Sequence, residues 1–357
     1  MFEKGVRVGG WSLAAALVSV NAACMNFRPD PAAIPVEAAG SAPMESWTVD
    51  GGRGATAPMI AEGGRVYLAG ADRQVRAIDI ESGGEVWHRR LTGTILGGVL
   101  LRDSVLYVAT SRPDGKVHAL DATTGRTRWR SSAGDISTSL AIAGGAVGAI
   151  NRRGELVALD LDRGALRWRR RIGVSRLAPL AVGDAFLVAA GDSILRIDAA
   201  NGRTAARWRL PFAIIGWQRV DGVLVLAGAD SALARLDPET FEIMWRSELD
   251  APVLGRLGVR ADTAWAITRR GTLYQVDLAT AAARRVVGLG APITTGVTPI
   301  DGHLVVGGAD GVLRGITRDG AVAWRVNLSW NITVDPVAVP GGFLAAGGDG
   351  DLHRFTE

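Results

Sequence analysis

The residues able to do chemistry are few and scattered along the chain. Four histidines stand at positions 88, 118, 303 and 353, without the spacing that gathers metal ligands. Asp349 and Asp351 sit in a GGDGD stretch, where a carboxylate capping its own backbone in a tight turn accounts for them. Cys24 is the single cysteine, so neither an intramolecular disulfide nor a cysteine-based metal site can form. Arginines cluster instead: Arg89 with Arg90, Arg128 with Arg130, Arg167 with Arg169, Arg170 and Arg171, and Arg284 with Arg285. Such clusters either meet an anionic surface or keep exposed sheet edges from pairing. No basic face carries the interleaved aromatics that grip nucleic acid, and no such partner is expected. The inventory predicts no catalytic residue, no metal and no cofactor.

The arginines share a landmark, because most of them flank a tryptophan. Tryptophan (11) outnumbers phenylalanine (7) and tyrosine (3), which suggests a repeated structural post. Aligning the chain on an aspartate that closes an apolar run gives VRAIDIESGGEVW (75–87), VHALDATTGRTRW (117–129), LVALDLDRGALRW (156–168), ILRIDAANGRTAARW (194–208), LARLDPETFEIMW (233–245), LYQVDLATAAARRV (273–286) and LRGITRDGAVAW (313–324). The tryptophans Trp87, Trp129, Trp168, Trp208, Trp245 and Trp324 recur about every forty residues, with Arg285 in place of one. A period of that length with several strands per unit marks a propeller blade.

Each part of the repeat has a physical task. The run before the aspartate alternates as a half-buried strand does. The aspartate caps the following turn, and Gly83, Gly125, Gly164 and Gly202 supply positive φ. The tryptophan then stands on an outer strand and packs against the next blade, burial worth roughly 2–3 kcal/mol. Apolar stretches such as RVYLAG (65–70) and VLVLAG (223–228) supply the strands inside these. The last segment, FLAAGGDGDLHRFTE, stops where an outer strand is due, and residues 45–49 (ESWTV) carry the missing tryptophan, Trp47. The chain is therefore expected to be all-β: an eight-bladed propeller of four-stranded antiparallel blades over residues 45–357, its ring closed by an N-terminal strand.

The first residues follow the plan of an export signal. Lys4 and Arg7 precede a short apolar run over 11–20, then Ala22, Ala23 and Cys24. That run is too short to span a bilayer. Residues 1–23 read as a signal peptide and 24–44, rich in proline and alanine, as a flexible tether. Cys24 resembles the acylated cysteine of a bacterial lipobox, although Asn21 replaces the usual small aliphatic residue three positions before it. Met25 after the cysteine implies the periplasmic face of the outer membrane. The alternative is cleavage after Ala22 or Ala23, leaving a soluble periplasmic protein with a free thiol.

The stretch AxDxxTGxxxW is the docking signature of PQQ-like repeats, and Ala119, Asp121, Thr124, Gly125 and Trp129 match it in full. Residues 77–87 and 158–168 match with Ser82 and Arg163 in the threonine position. With its signal, tether, split blade and closing DGDLHRFT, the whole chain resembles the BamB family of propeller lipoproteins. That resemblance implies a noncatalytic scaffold, monomeric, that serves outer-membrane β-barrel assembly and binds a protein of the assembly complex. In that family the fourth blade opens with a Leu-x-Leu-Arg-Gly loop that holds the partner. Residues 173–179 (GVSRLAP) keep an arginine, Arg176, and a proline but not the pattern. Arg176, Leu177, Phe212 and Trp217 are the expected partner-binding residues, on adjacent blades four and five, with Trp330 as a further aromatic on the loop face. Trp217 has an alternative place as a plug of the central channel. Two other functions share the repeat: an envelope binding or sensing protein, and a quinone enzyme, whose adjacent cysteine pair is missing here.

Overall fold

The computed structural model describes residues 40–52, 58–220, 222–300, 302–328 and 330–356. Thirty-two strands fall into eight four-stranded sheets, every neighbouring pair antiparallel. Blades one to seven occupy residues 60–90, 95–132, 141–171, 180–209, 214–248, 253–288 and 298–327. Blade eight joins three C-terminal strands over 337–356 to the N-terminal strand Met44–Asp50. The predicted architecture is observed, including the split blade. Trp47 stands opposite Arg354 and Val49 opposite Leu352 in that closing pair.

Burial follows each strand's place in its blade. The second strand of blade two, Val105–Thr110, is buried at every residue because neighbouring blades cover both faces. Its sequence is accordingly a continuous apolar run. The outer strand Thr127–Ser132 alternates between half-buried and exposed, since only one face meets a neighbour. The core is thus a ring of layers between blades. One such layer packs Tyr67, Leu106, Val108 and Leu120, with Trp87 against its edge.

A repeated latch joins the layers. In blade two the Asp121 carboxylate accepts the N–H groups of Thr123 (3.1 Å) and Thr124 (3.0 Å), and the Gly125 N–H returns to the Asp121 carbonyl at 2.8 Å. Arg128, paired with Asp121 at 2.7 Å, is the main reason its carboxyl lies below the ordinary carboxylate range. Gly125 takes φ 69°, and the Trp87 ring of blade one lies on its bare Cα. The Trp87 indole N–H donates to the Ala122 carbonyl at 3.0 Å. The same bond joins Trp47 to Ile80 (3.1 Å), Trp129 to Leu161 (3.1 Å), Trp168 to Ala199 (2.9 Å) and Trp245 to Leu278 (2.8 Å). Each latch couples apolar burial to a satisfied indole.

Three of the expected posts differ in detail. Trp208 stacks on Phe241, which occupies the glycine position at φ 59°, with ring centroids 4.0 Å apart. Trp324 is almost fully buried and stacks on Phe343 of blade eight at 5.7 Å, because no hairpin turn follows in that split blade. In blade six the residue lying on the next turn glycine, Gly320, is Val286 and not Arg285. The bulge that precedes the tryptophan in the other blades falls here between Leu273 and Tyr274, two pairs along the ladder, and turns Val286 inward.

Candidate functional site

Loops that lead from one blade to the next share one face of the ring with the turns between second and third strands. The loop into blade four, residues 172–179, is the exposed landmark there. Val174 is 75% exposed and Arg176 is also exposed, while Leu177 is half-buried and Pro179 buried. The Leu177 N–H donates to the Ser175 hydroxyl at 3.3 Å, which tightens the bend. Trp217, on the inner strand Ile214–Val220 of blade five, donates its indole N–H to the Ala178 carbonyl at 2.9 Å. The Arg219 guanidinium reaches the Ala181 carbonyl at 3.1 Å, and Gln218 bonds both backbone groups of Leu257 in blade six at 3.0 and 3.3 Å. Blade five therefore staples the end of the loop through Trp217 and is itself tied to blade six through Gln218.

Trp217 also lines the central channel. A cavity of about 540 Å³ opens there among Met59, Leu140, Leu177, Pro179, Trp217 and Leu257, drawn from blades one, three, four, five and six. Its continuation, about 480 Å³, is more polar, with Arg219, Arg256 and Asp335 in its wall. Asp335 accepts the Gly296 N–H at 2.8 Å. Burial pushes its carboxyl above the ordinary range, against the pull of that N–H and of Arg256.

The four expected partner residues are only partly brought together. Arg176 and Leu177 share the loop, and Trp217 touches it from behind through Ala178. Phe212 is 6% exposed and packs with Leu210, Leu224 and Phe241 in the layer between blades four and five. It is a core residue, because its ring turns inward against Gly228 of blade five and does not leave an apolar spot on the surface. Trp330 is 56% exposed but lies on the segment leading to blade eight, across the ring, so it does not join the patch. Sequence reasoning missed Val174, whose signal is a lone aliphatic residue between Gly173 and Ser175. Asp349 accepts the Asp351 N–H at 3.1 Å as a turn residue does. Among the described residues no three histidines, cysteines or carboxylates gather as metal ligands. Cys24 and residues 1–39 lie outside the described residues.

Eight four-stranded blades locked by an aspartate turn, a glycine and a latching tryptophan define a PQQ-like repeat propeller. Within that class, a family profile described as outer membrane protein assembly factor BamB matches residues 43–228 and 229–353. The chain belongs to this family. It is 26% identical to the outer membrane protein assembly factor BamB of Yersinia pestis over 342 residues, covering 83% of each chain. The protein of the same name from Burkholderia pseudomallei is 27% identical over 301 residues, 66% of this chain and 77% of that one. The crystal structure of BamB from Moraxella catarrhalis superposes with a TM-score of 0.74 at 23% identity, covering 89% of this chain and 98% of that one. A computationally designed protein, Ika8, matches with a TM-score of 0.71 at 15% identity. At such identities the structural likenesses speak for the fold alone.

Proposed function

We propose that this chain is a noncatalytic accessory factor of outer-membrane β-barrel assembly, held by a lipid on Cys24 at the periplasmic face of the outer membrane. It works as a scaffold that docks a protein of the assembly complex. The observation that carries this reading is the family match through both halves of the ring, together with relatives named as assembly factors over most of their length. The docking element is the loop into blade four. Arg176 and Leu177 make the contact, Val174 adds an apolar tip, and Trp217 holds the loop in place through Ala178. A rigidly held loop loses little freedom on binding, which favours its use as an anchor.

The test is recovery of the assembly complex with a tagged protein from its native envelope. Truncating central anchors commonly costs about 2 kcal/mol, close to thirtyfold in affinity. Arg176→Ala combined with Leu177→Ala is expected to lower recovery by that order while the melting temperature stays within a few degrees of wild type. Undiminished recovery by this folded variant excludes the loop as the docking element.

A further inference from the structure

The eight outer strands do the same architectural work, yet their charge divides the ring in two. Those of blades one to four, Glu85–Arg90, Thr127–Ser132, Leu166–Arg171 and Thr204–Arg209, carry ten arginines against one glutamate. Those of blades five to eight, Ile243–Glu248, Ala283–Gly288, Val322–Asn327 and Met44–Asp50, carry four arginines against three carboxylates. Three arginines of the first half are neutralised locally: Arg128 by Asp121 (2.7 Å), Arg167 by Asp160 (2.8 Å) and Arg209 by Asp192 (2.7 Å). The other seven have no carboxylate within 4.0 Å among the described residues. Of these, Arg90, Arg130, Arg169 and Arg171 are exposed, and their side chains make no hydrogen bond to the rest of the chain among the described residues.

Keeping sheet edges apart does not call for this excess, because the second half of the ring protects identical edges with nearly balanced charge. The excess costs stability through self-repulsion, and it concentrates a positive potential on one side of a molecule whose net charge is only +4. Four consecutive blades of eight span half the circumference, a convex surface. A flat bilayer meets one or two blades of such a surface at a time, whereas an extended chain can follow all four. We infer that the outer edges of blades one to four form a cationic arc that takes an extended acidic polypeptide segment, a second contact separate from the loop into blade four.

Polyglutamate is the probe, added to the mature full chain. It binds at low ionic strength and weakens steeply between about 0.01 M and about 0.15 M salt, as the Debye length shrinks from about 30 Å to about 8 Å. Replacing Arg90, Arg130, Arg169 and Arg171 by serine lowers its affinity at least about tenfold. Replacing Arg260, Arg284, Arg318 and Arg325 of blades six and seven, an equal loss of charge, lowers it by less than about threefold. Equal losses from the two quadruple variants mean that net charge alone is read, and overturn the arc. Arc-dependent binding to phosphatidylglycerol vesicles without binding to polyglutamate overturns the polypeptide in favour of a membrane. A photoreactive polyglutamate needs no variant: its adducts on wild-type protein fall on the outer strands of blades one to four. Adducts spread evenly around all eight blades overturn the inference. Because complex recovery through Arg176 and Leu177 is measured separately, failure here leaves the docking loop standing.

Discussion

The indole N–H of Trp47 donates to the carbonyl of Ile80 at 3.1 Å, so the N-terminal strand latches blade eight onto blade one. The same strand completes blade eight by pairing with Asp351–Thr356. Its tryptophan ring covers Gly83, which takes φ 72°. One strand thus closes the ring twice, by backbone pairing within a blade and by side-chain docking onto the next.

Trp47→Ala should therefore destabilise the whole ring by about 2–3 kcal/mol, the burial of one ring less what water recovers. Deleting residues 45–49 should do more, baring the edge of Asp351–Thr356 for intermolecular pairing. Thermal melts and light scattering check both. A truncated protein that melts like wild type and stays monomeric contradicts the double closure.

The turn glycines separate backbone strain from close approach. Gly191 and Gly164 have nearly the same φ, 66° and 68°. A Cβ on Gly191 meets nothing within 4 Å, whereas one on Gly164 lies 2.4 Å from the Trp129 ring. Gly191→Ala should cost about 1–2 kcal/mol, the left-handed backbone alone. Gly164→Ala should cost about 1–3 kcal/mol more, because the ring must move. Denaturant midpoints read the difference, and equal losses would remove the latch from the account.

Blade six should open first. It offers Val286 where other blades offer a tryptophan, and its own turn, whose Leu278 carbonyl accepts the Trp245 indole N–H, carries Ala281, a non-glycine at φ 68°. The first change reduces burial at its border, and the second holds a Cβ in the left-handed region. Hydrogen exchange should proceed faster over residues 251–289 than over 92–172. Equal protection of the two regions would show that the latches do not set local stability.

Much of this was legible in the residues. The aspartate, glycine and tryptophan spacing gave the blades, their number and the split closure, because each part of the latch demands a particular residue type. The alternation of TRWRSS against the solid run VLYVAT told outer strands from inner ones. The inner strands and loops were harder. Phe212 looked like a surface anchor because sequence does not show that its ring turns inward against Gly228 of the next blade. The Val286 post was hidden by a bulge moved along its strand, which no composition signals. The charge division of the ring is present in the arginine clusters, but it depends on each strand's place around the circle, which sequence order alone does not show.

Acid should weaken the fold before any carboxylate does. His118 is 4% exposed, and its Nε2 has no hydrogen-bond partner. Burial, helped by Lys116, Arg130 and Arg89 and opposed by Asp114, lowers its pKa from 6.5 to about 4. The folded state therefore holds the neutral ring while the unfolded chain takes up a proton. The contribution of His118 is constant above pH 6.5, falls as pH drops from there towards 4, and levels off below, a loss of roughly 3 kcal/mol. The raised carboxyl of Asp335 works in the opposite sense, because the folded state takes up its proton first. The turn carboxyls of Asp121, Asp160 and Asp277, held below their ordinary 3.8, act only at lower pH. His118→Leu should flatten the decline between pH 6.5 and 4. An unchanged slope in that variant assigns the acid sensitivity elsewhere.

The most direct test of the account is the abundance of outer-membrane β-barrel proteins in cells that lack this chain. Quantitative proteomics of outer-membrane fractions should show those proteins reduced. The wild-type chain should restore them, and the chain carrying Arg176→Ala with Leu177→Ala should restore them poorly. Barrel proteins at normal levels in the deletion strain, under the growth conditions where the chain is expressed, would contradict a role in their assembly.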